Sequence, residues 1–286
     1  TDEQMQAVFD AAREAGLTLW DTAAVYGMGS SETALGKLVR QVPRDELVLS
    51  TKFTPQIADD SAEQPVAALL ETSLQRLGVD EIERYCSHDA LGIEKWTPAL
   101  IPSVQSGKVK RVGVSNHNLA QIQRANAILG AAGFAVSAVQ NHYSLLYRSS
   151  EEAGILDYCQ ANHITFFAYM VLEQGALSGR YNRQHPLPEG SGRAASYNQV
   201  LPQLEQLTDA MTDIGRGYDA NAAQVAIAGA TAKGTLPSIG ATKVHHVTDA
   251  AKAAKIQLTQ DEMARLETLA RAANVDTRGA WEQPMV

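Results

Sequence analysis

Short β-branched runs recur along this chain at a near-constant interval, and that rhythm constrains the fold more than any other feature. The runs are 17–23, 47–53, 82–88, 109–115, 136–142, 165–171 and 236–240, with starts about 27 to 35 residues apart until a last gap of about 70. A strand followed by a crossover helix needs about 30 residues, so the spacing predicts βα units that build a parallel sheet. Between the runs, 62–77 is the clearest helix, because Val66, Leu69, Leu70, Leu74 and Leu77 recur on one helical face. Thr1 with Gln4, Ser61 with Gln64 and Thr259 with Glu262 have the spacing of capping boxes at helix starts. Gly78, Gly107 and Gly130 stand where helices should stop. Seven strands suit an open doubly wound sheet, whereas a closed (β/α)8 barrel needs eight and would place its first strand before Thr1.

Charge and composition remove several function classes. Lys and Arg number 24 against 32 Asp and Glu, a net charge of −8 without any basic block. Nucleic acid and acidic membrane surfaces are therefore poor candidates as partners, and none is expected. No run of eighteen uncharged apolar residues provides a membrane span, and T-D-E-Q-M-Q at the start lacks the basic and apolar regions of a signal peptide. Cys86 and Cys159 are too few for a disulfide scaffold, and the cytoplasm is the expected compartment. Seven histidines without an H-E-x-x-H pair predict no metal site.

The polar residues of interest gather at the C-terminal ends of the strand candidates. Asp21, Lys52, His88, Ser115 with Asn116, Gln140 with Asn141, and Tyr169 all fall there. In a parallel sheet those ends face the ligand crevice or barrel mouth. Any one of them alone is most simply a satisfied loop residue. Six ends in agreement point to a common site.

Six ordered motifs sharpen the reading: D-T-A-A-V-Y-G (21–27), S-T-K-F (50–53), Y-C-S-H (85–88), G-V-S-N-H (113–117), V-Q-N-H-Y (139–143) and I-G-A-T-K (239–243). In order and spacing, over nearly the whole chain, the sequence resembles the aldo-keto reductases. That resemblance implies an α/β (β/α)8 TIM barrel over 1–286 as a single domain, its first strand absent from the chain. A Pro/Gly/Ser-rich, lid-like insertion falls at about 178–200, and a C-terminal helix and tail occupy 259–286. It also implies NADPH/NADP+, with NADH possible, bound extended without a Rossmann domain, and reduction of a small aldehyde or ketone. G-M-G-S-S-E (27–32) lacks the third glycine of a dinucleotide fingerprint and is a decoy.

The resemblance assigns Asp21, Tyr26, Lys52 and His88 as catalytic. Elementary chemistry agrees. Hydride addition leaves an alkoxide that needs a proton, and a phenol of pKa near 10 donates more readily beside an ammonium that a carboxylate holds. The family positions matching Ser115, Asn116 and Gln140 bind the nicotinamide carboxamide, and Tyr169 matches the residue stacked on its ring. Met170 and Leu172 offer backbone groups near the pyrophosphate. Gly240, Ala241, Thr242, Lys243 and His246 lie in the phosphate-binding segment that opens the last barrel helix.

The chain also departs from its relatives. His246 and Ala250 stand where some carry arginine and asparagine, so the expected NADPH preference is modest and weakens as pH rises through about 7 to 8. Asp89 replaces a pocket-wall aromatic, and Trp281 in the tail is the candidate substitute. Two rival functions compete with the reductase: a nicotinamide-sensing regulatory subunit with little turnover, and a metal-dependent or Schiff-base barrel enzyme. The full catalytic quartet argues against the first, and Tyr26 with the nicotinamide set against the second.

Overall fold

In the computed structural model, which describes Thr1–Val286, helix and strand alternate along the chain. It divides into two compact units. The first comprises Thr1–Asn141, Ala153–Thr165 and Pro284–Val286, and the second His142–Glu152 and Phe166–Gln283.

The first unit carries β1 (Leu19–Asp21), β2 (Val48–Phe53), β3 (Ile82–Ser87), β4 (Val109–Ser115) and β5 (Val136–His142, to Asn141 in this unit), each paired in parallel with the next. Register places Asp21, Ser50 and Arg84 in one row, and Lys52, Cys86, Gly113 and Ala138 in the next row on the same face. Gln140 on β5 donates from Nε2 to Asp21 Oδ2 on β1 at 3.3 Å. In a flat sheet, four strand spacings would hold them about 19 Å apart. The five strands therefore curl, and the open-sheet alternative fails. Gly113 permits this: a Cβ there would lie 2.7 Å from the Ala138 carbonyl oxygen and 2.9 Å from Cys86 Sγ.

The helix predicted at 62–77 forms over Pro65–Leu77 and buries Val66, Leu70, Leu74 and Leu77. Each such side chain contributes about 1.5–3 kcal/mol by leaving water. Gly78 ends the helix in a left-handed conformation at φ 70°. Its start corrects the expected capping box: Pro65 opens the helix, and Ser61 instead donates both N–H and hydroxyl to Asp59 Oδ1. The boxes at Thr1 and Thr259 form as expected. Gly130 lies inside the helix Leu119–Ala131, and the chain turns at Gly133 instead.

In the second unit β6 (Thr165–Tyr169, in this unit from Phe166) pairs in parallel with β7 (Leu236–Pro237), which is shorter than the predicted 236–240. Helices Leu201–Arg216, Ala222–Ala232 and Gln260–Ala273 enclose a core around Leu207, Met211, Val225 and Leu266. The segment near 178–200 packs through two of its side chains. Leu187 and Tyr197 are buried with Ala176, Leu201 and Leu204, and Asn198 bonds both backbone groups of Leu187. Seven strands occur in all, one fewer than a closed barrel uses. No helix is long and apolar enough to cross a membrane.

Candidate active site

The four catalytic candidates meet in the first unit. Lys52 is 1% exposed, and its Nζ donates to Asp21 Oδ2 at 2.7 Å and to the Thr22 carbonyl at 2.9 Å. Burial alone would discharge this lysine. The charge of Asp21 and its hydrogen bond outweigh burial and hold the Lys52 pKa above the ordinary value. Asp21 shows the converse balance: burial works to raise it, but Lys52 and then Arg84 hold it below the usual carboxylate range. The pair is ionised. Tyr26 follows β1 at the head of a one-turn 3-10 helix (Tyr26–Gly29) that bends through left-handed Gly27 and Met28. Its ring centroid lies 5.3 Å from Lys52 Nζ, and 42% of the residue is exposed. A buried ammonium thus sits beneath a phenol that a substrate can reach.

His88 meets the Tyr26 ring edge-on, with centroids 5.8 Å apart at 82°. Burial, then the charge of Lys52, pulls its pKa down to about 4, so the imidazole is neutral near pH 7. Its Nδ1 lies 3.2 Å from the hydroxyl of Thr54, a residue that no sequence motif singled out. With that hydroxyl donating, the ring proton sits on Nε2 and can be given to a carbonyl oxygen.

Three further candidates adjoin this group. Ser115 donates its hydroxyl to the Gln140 carbonyl at 2.7 Å, and Asn116 donates from Nδ2 to the His88 carbonyl at 2.9 Å. Asn116 has φ 57°, a conformation asparagine tolerates and one that recurs where strands end at sites. Gln140 is bound to Asp21 through Nε2, while its Oε1 is buried without a partner. An unmet buried acceptor costs about 1–3 kcal/mol. An amide N–H from a ligand would satisfy it, which fits a carboxamide.

The remaining candidates lie in the second unit. Tyr169 ends β6, stacks on His142 at 5.7 Å and accepts a hydrogen bond from Trp281 Nε1 at 3.2 Å. Met170 follows at φ 58°, and the Met170 and Leu172 carbonyls accept from Glu173 and Gly175 to close the next turn. Gly240, Ala241, Thr242 and Lys243 precede the helix Val244–Ala253. Here the structure alters the expectation for His246. Its Nδ1 accepts the backbone N–H groups of Thr242 (3.1 Å) and Lys243 (3.3 Å), donors that were expected to serve a phosphate. Unpaired helix-start amides need a cap, and His246 supplies it. Partial burial, then the charges of His245, Lys243 and Arg180, hold its pKa below the ordinary imidazole value. In this arrangement His246 Nδ1 is occupied by those two amides. Arg180, distant in sequence, joins this cationic cluster unforeseen.

A family model described as the Aldo/keto reductase family matches residues 1–271. The chain belongs to this family. Among named relatives, the chloroplastic pyridoxal reductase of Arabidopsis thaliana is 32% identical, over 94% of this chain and 77% of its own length. Aldo-keto reductase yakc of Schizosaccharomyces pombe is 31% identical, over 91% and 80%. An aldo-keto reductase of Klebsiella pneumoniae, solved in complex with NADPH, superposes with a TM-score of 0.74 at 27% identity, covering 94% of this chain and 85% of that one. The fold class is accordingly the α/β barrel of the aldo-keto reductases, with seven strands here. Within that frame Asp89 holds its own loop in shape, accepting from the Leu91 backbone N–H and from Gln56 Nε2.

Proposed function

We propose that this aldo/keto reductase is an NADPH-dependent carbonyl reductase in which Tyr26 is the general acid. The observation that carries the reading is the buried Lys52 ammonium, held by Asp21 at 2.7 Å and placed 5.3 Å from the centroid of a half-exposed Tyr26 ring. NADP(H) fits the residues: Gln140 Oε1 suits the carboxamide, Ser115 and Asn116 lie beside it, and Tyr169 offers a ring face at a strand end. Met170, Leu172, Gly240 and Ala241 supply backbone groups for the phosphates, with the Lys243 side chain as the cation for a 2′-phosphate. Bound NADPH supplies the hydride. Neutral His88 donates from Nε2 to the carbonyl oxygen and orients it. Tyr26 gives up its phenolic proton to that oxygen as negative charge develops there, and the product is the alcohol. Lys52 stabilises the phenolate left behind, and Asp21 keeps Lys52 in place and charged.

Purified protein with NADPH and a panel of aldehydes and ketones, pyridoxal among them, should consume the reduced cofactor at a rate that depends on the carbonyl. Tight NADPH binding with no oxidation against any member of the panel would instead favour the nicotinamide-sensing role.

A further inference from the structure

Asp21 serves two cations, one on each oxygen. Lys52 Nζ bonds Oδ2 at 2.7 Å, and the Arg84 guanidinium approaches Oδ1 at 3.5 Å. Arg84 is buried on the register row it shares with Ser50 and Asp21, and its Nε donates to Ser50 Oγ at 2.9 Å. Gln140 adds a bond to Oδ2 at 3.3 Å. We propose that Arg84 is a positioning residue for proton donation by Tyr26, acting through Asp21. The proposal rests on the reading of Tyr26 as the acid.

The physical case has two parts. A carboxylate bonded on one oxygen can swing about its Cβ–Cγ axis, whereas holding Oδ1 from Arg84 and Oδ2 from Lys52 and Gln140 fixes its plane. That plane sets where the Lys52 ammonium rests beneath the phenol. Secondly, an isolated Asp21–Lys52 pair is neutral, and much of the ammonium's field ends on its carboxylate. A second cation on the far oxygen takes part of that negative charge and leaves the trio one positive charge in excess, which favours the phenolate. The groups around this trio are Lys52 and Ser50 from β2, Cys86 from β3, His88 and Asp89 just beyond it, Arg111 on β4 in register with Arg84, and Gln140 from β5. Cys86 is kept neutral by burial, His88 is neutral, and Arg111 is exposed to solvent that screens it, so Asp21, Lys52 and Arg84 set the local field. The β3 motif draws attention to its final histidine. Arg84 stands four residues earlier on the same face of the strand, as alternation along a strand requires.

The test uses the full chain with Arg84→Gln and Arg84→Lys, and with Tyr26→Phe as the reference. For Arg84→Gln, kcat should fall about tenfold, a fraction of what a general acid supplies. Its NADPH Kd should stay within about twofold, and the alkaline limb of the kcat–pH profile should move up by about one unit. Arg84→Lys keeps the charge, so its limb should stay within about half a unit of wild type. Its kcat should still fall several-fold, because lysine lacks the planar fork that reaches Ser50 from Nε and Asp21 from a terminal nitrogen. A lower kcat for Arg84→Gln with an unmoved limb would reduce Arg84 to packing. Should Arg84→Gln fail to fold, full kcat in Arg84→Lys overturns the proposal by itself. A Tyr26→Phe variant that keeps more than about a tenth of its rate overturns the acid reading instead, so the two failures are distinguishable.

Discussion

Two buried ion clusters of nearly equal size have opposite charge balances. In the first unit Lys52 and Arg84 share one carboxylate, Asp21, beside a phenol that is 42% exposed. In the second unit one imidazole, His142, sits between two carboxylates: Nε2 lies 2.6 Å from Glu173 Oε1 and Nδ1 3.0 Å from Glu282 Oε2. All three of those side chains are sealed, and Tyr147 stacks on the imidazole at 4.1 Å and 12°. Burial alone would discharge His142, yet bonds to Glu173 and Glu282 raise its pKa to about 9. The same balance of desolvation against pairing operates in both places. The difference is what each leaves available. The first cluster directs a positive field at a group a substrate can reach, whereas the second spends its charge on tethering the tail, whose Trp281 reaches Tyr169.

The largest effect expected from breaking this contrast is on turnover. Lys52→Met removes the cation under Tyr26, and kcat should fall by about 10²–10⁴ while NADPH still binds; steady-state kinetics with a separate cofactor titration check both halves. In the other cluster, His142→Leu leaves two buried carboxylates without their partner. Unfolding free energy in urea should drop by about 3–5 kcal/mol, with kcat of the folded enzyme far less affected than in Lys52→Met. A His142→Leu protein of wild-type stability would show that the second cluster holds nothing.

Titration sharpens the comparison with opposite signs. His142 is raised to about 9 in the fold, so its stabilisation is complete below about 6.5 and is lost as pH climbs toward 9, at most about 3 kcal/mol. His88 and His117 are held at about 4, so the unfolded chain gains protons first and stability falls as pH drops from about 6.5 to 4. Urea midpoints at pH 5, 7 and 9 should therefore peak at the middle value, and a steady rise from 5 to 9 would contradict the His142 assignment. The smallest effect concerns cofactor choice. Because His246 Nδ1 already caps Thr242 and Lys243, the ratio of NADH to NADPH Kd should change less than about twofold between pH 6 and 8.5, whereas Lys243→Ala should reduce it about tenfold. A ratio that collapses above pH 7 would restore His246 as a charged clamp.

Most of the fold was legible because a parallel sheet announces itself by recurrence: six of the seven strands lie within a few residues of their predicted runs. The last was overestimated because a Pro at position 237 and its short pairing with β6 end the strand after two residues. The motifs that carry the family resemblance singled out Asp21, Tyr26, Lys52 and His88 as candidates, and the fold brings their side chains together. Arg84, Thr54 and the orphaned Oε1 of Gln140 were not legible in the sequence, since they depend on which face of a strand a residue takes and on what it meets across the sheet. The His142–Glu173–Glu282 cluster was beyond any local signal. Its members are 31 and 140 positions apart, and only tertiary packing joins them.

Everything proposed for the first cluster turns on Tyr26 as the source of the proton. Tyr26→Phe tests that role most directly, because the substitution deletes the hydroxyl and leaves the ring over Lys52. At saturating carbonyl and NADPH, kcat should be lower by two or more orders of magnitude, on the order of a general acid's contribution, with NADPH Kd unchanged within about twofold. A variant that retains more than about a tenth of wild-type kcat would contradict it.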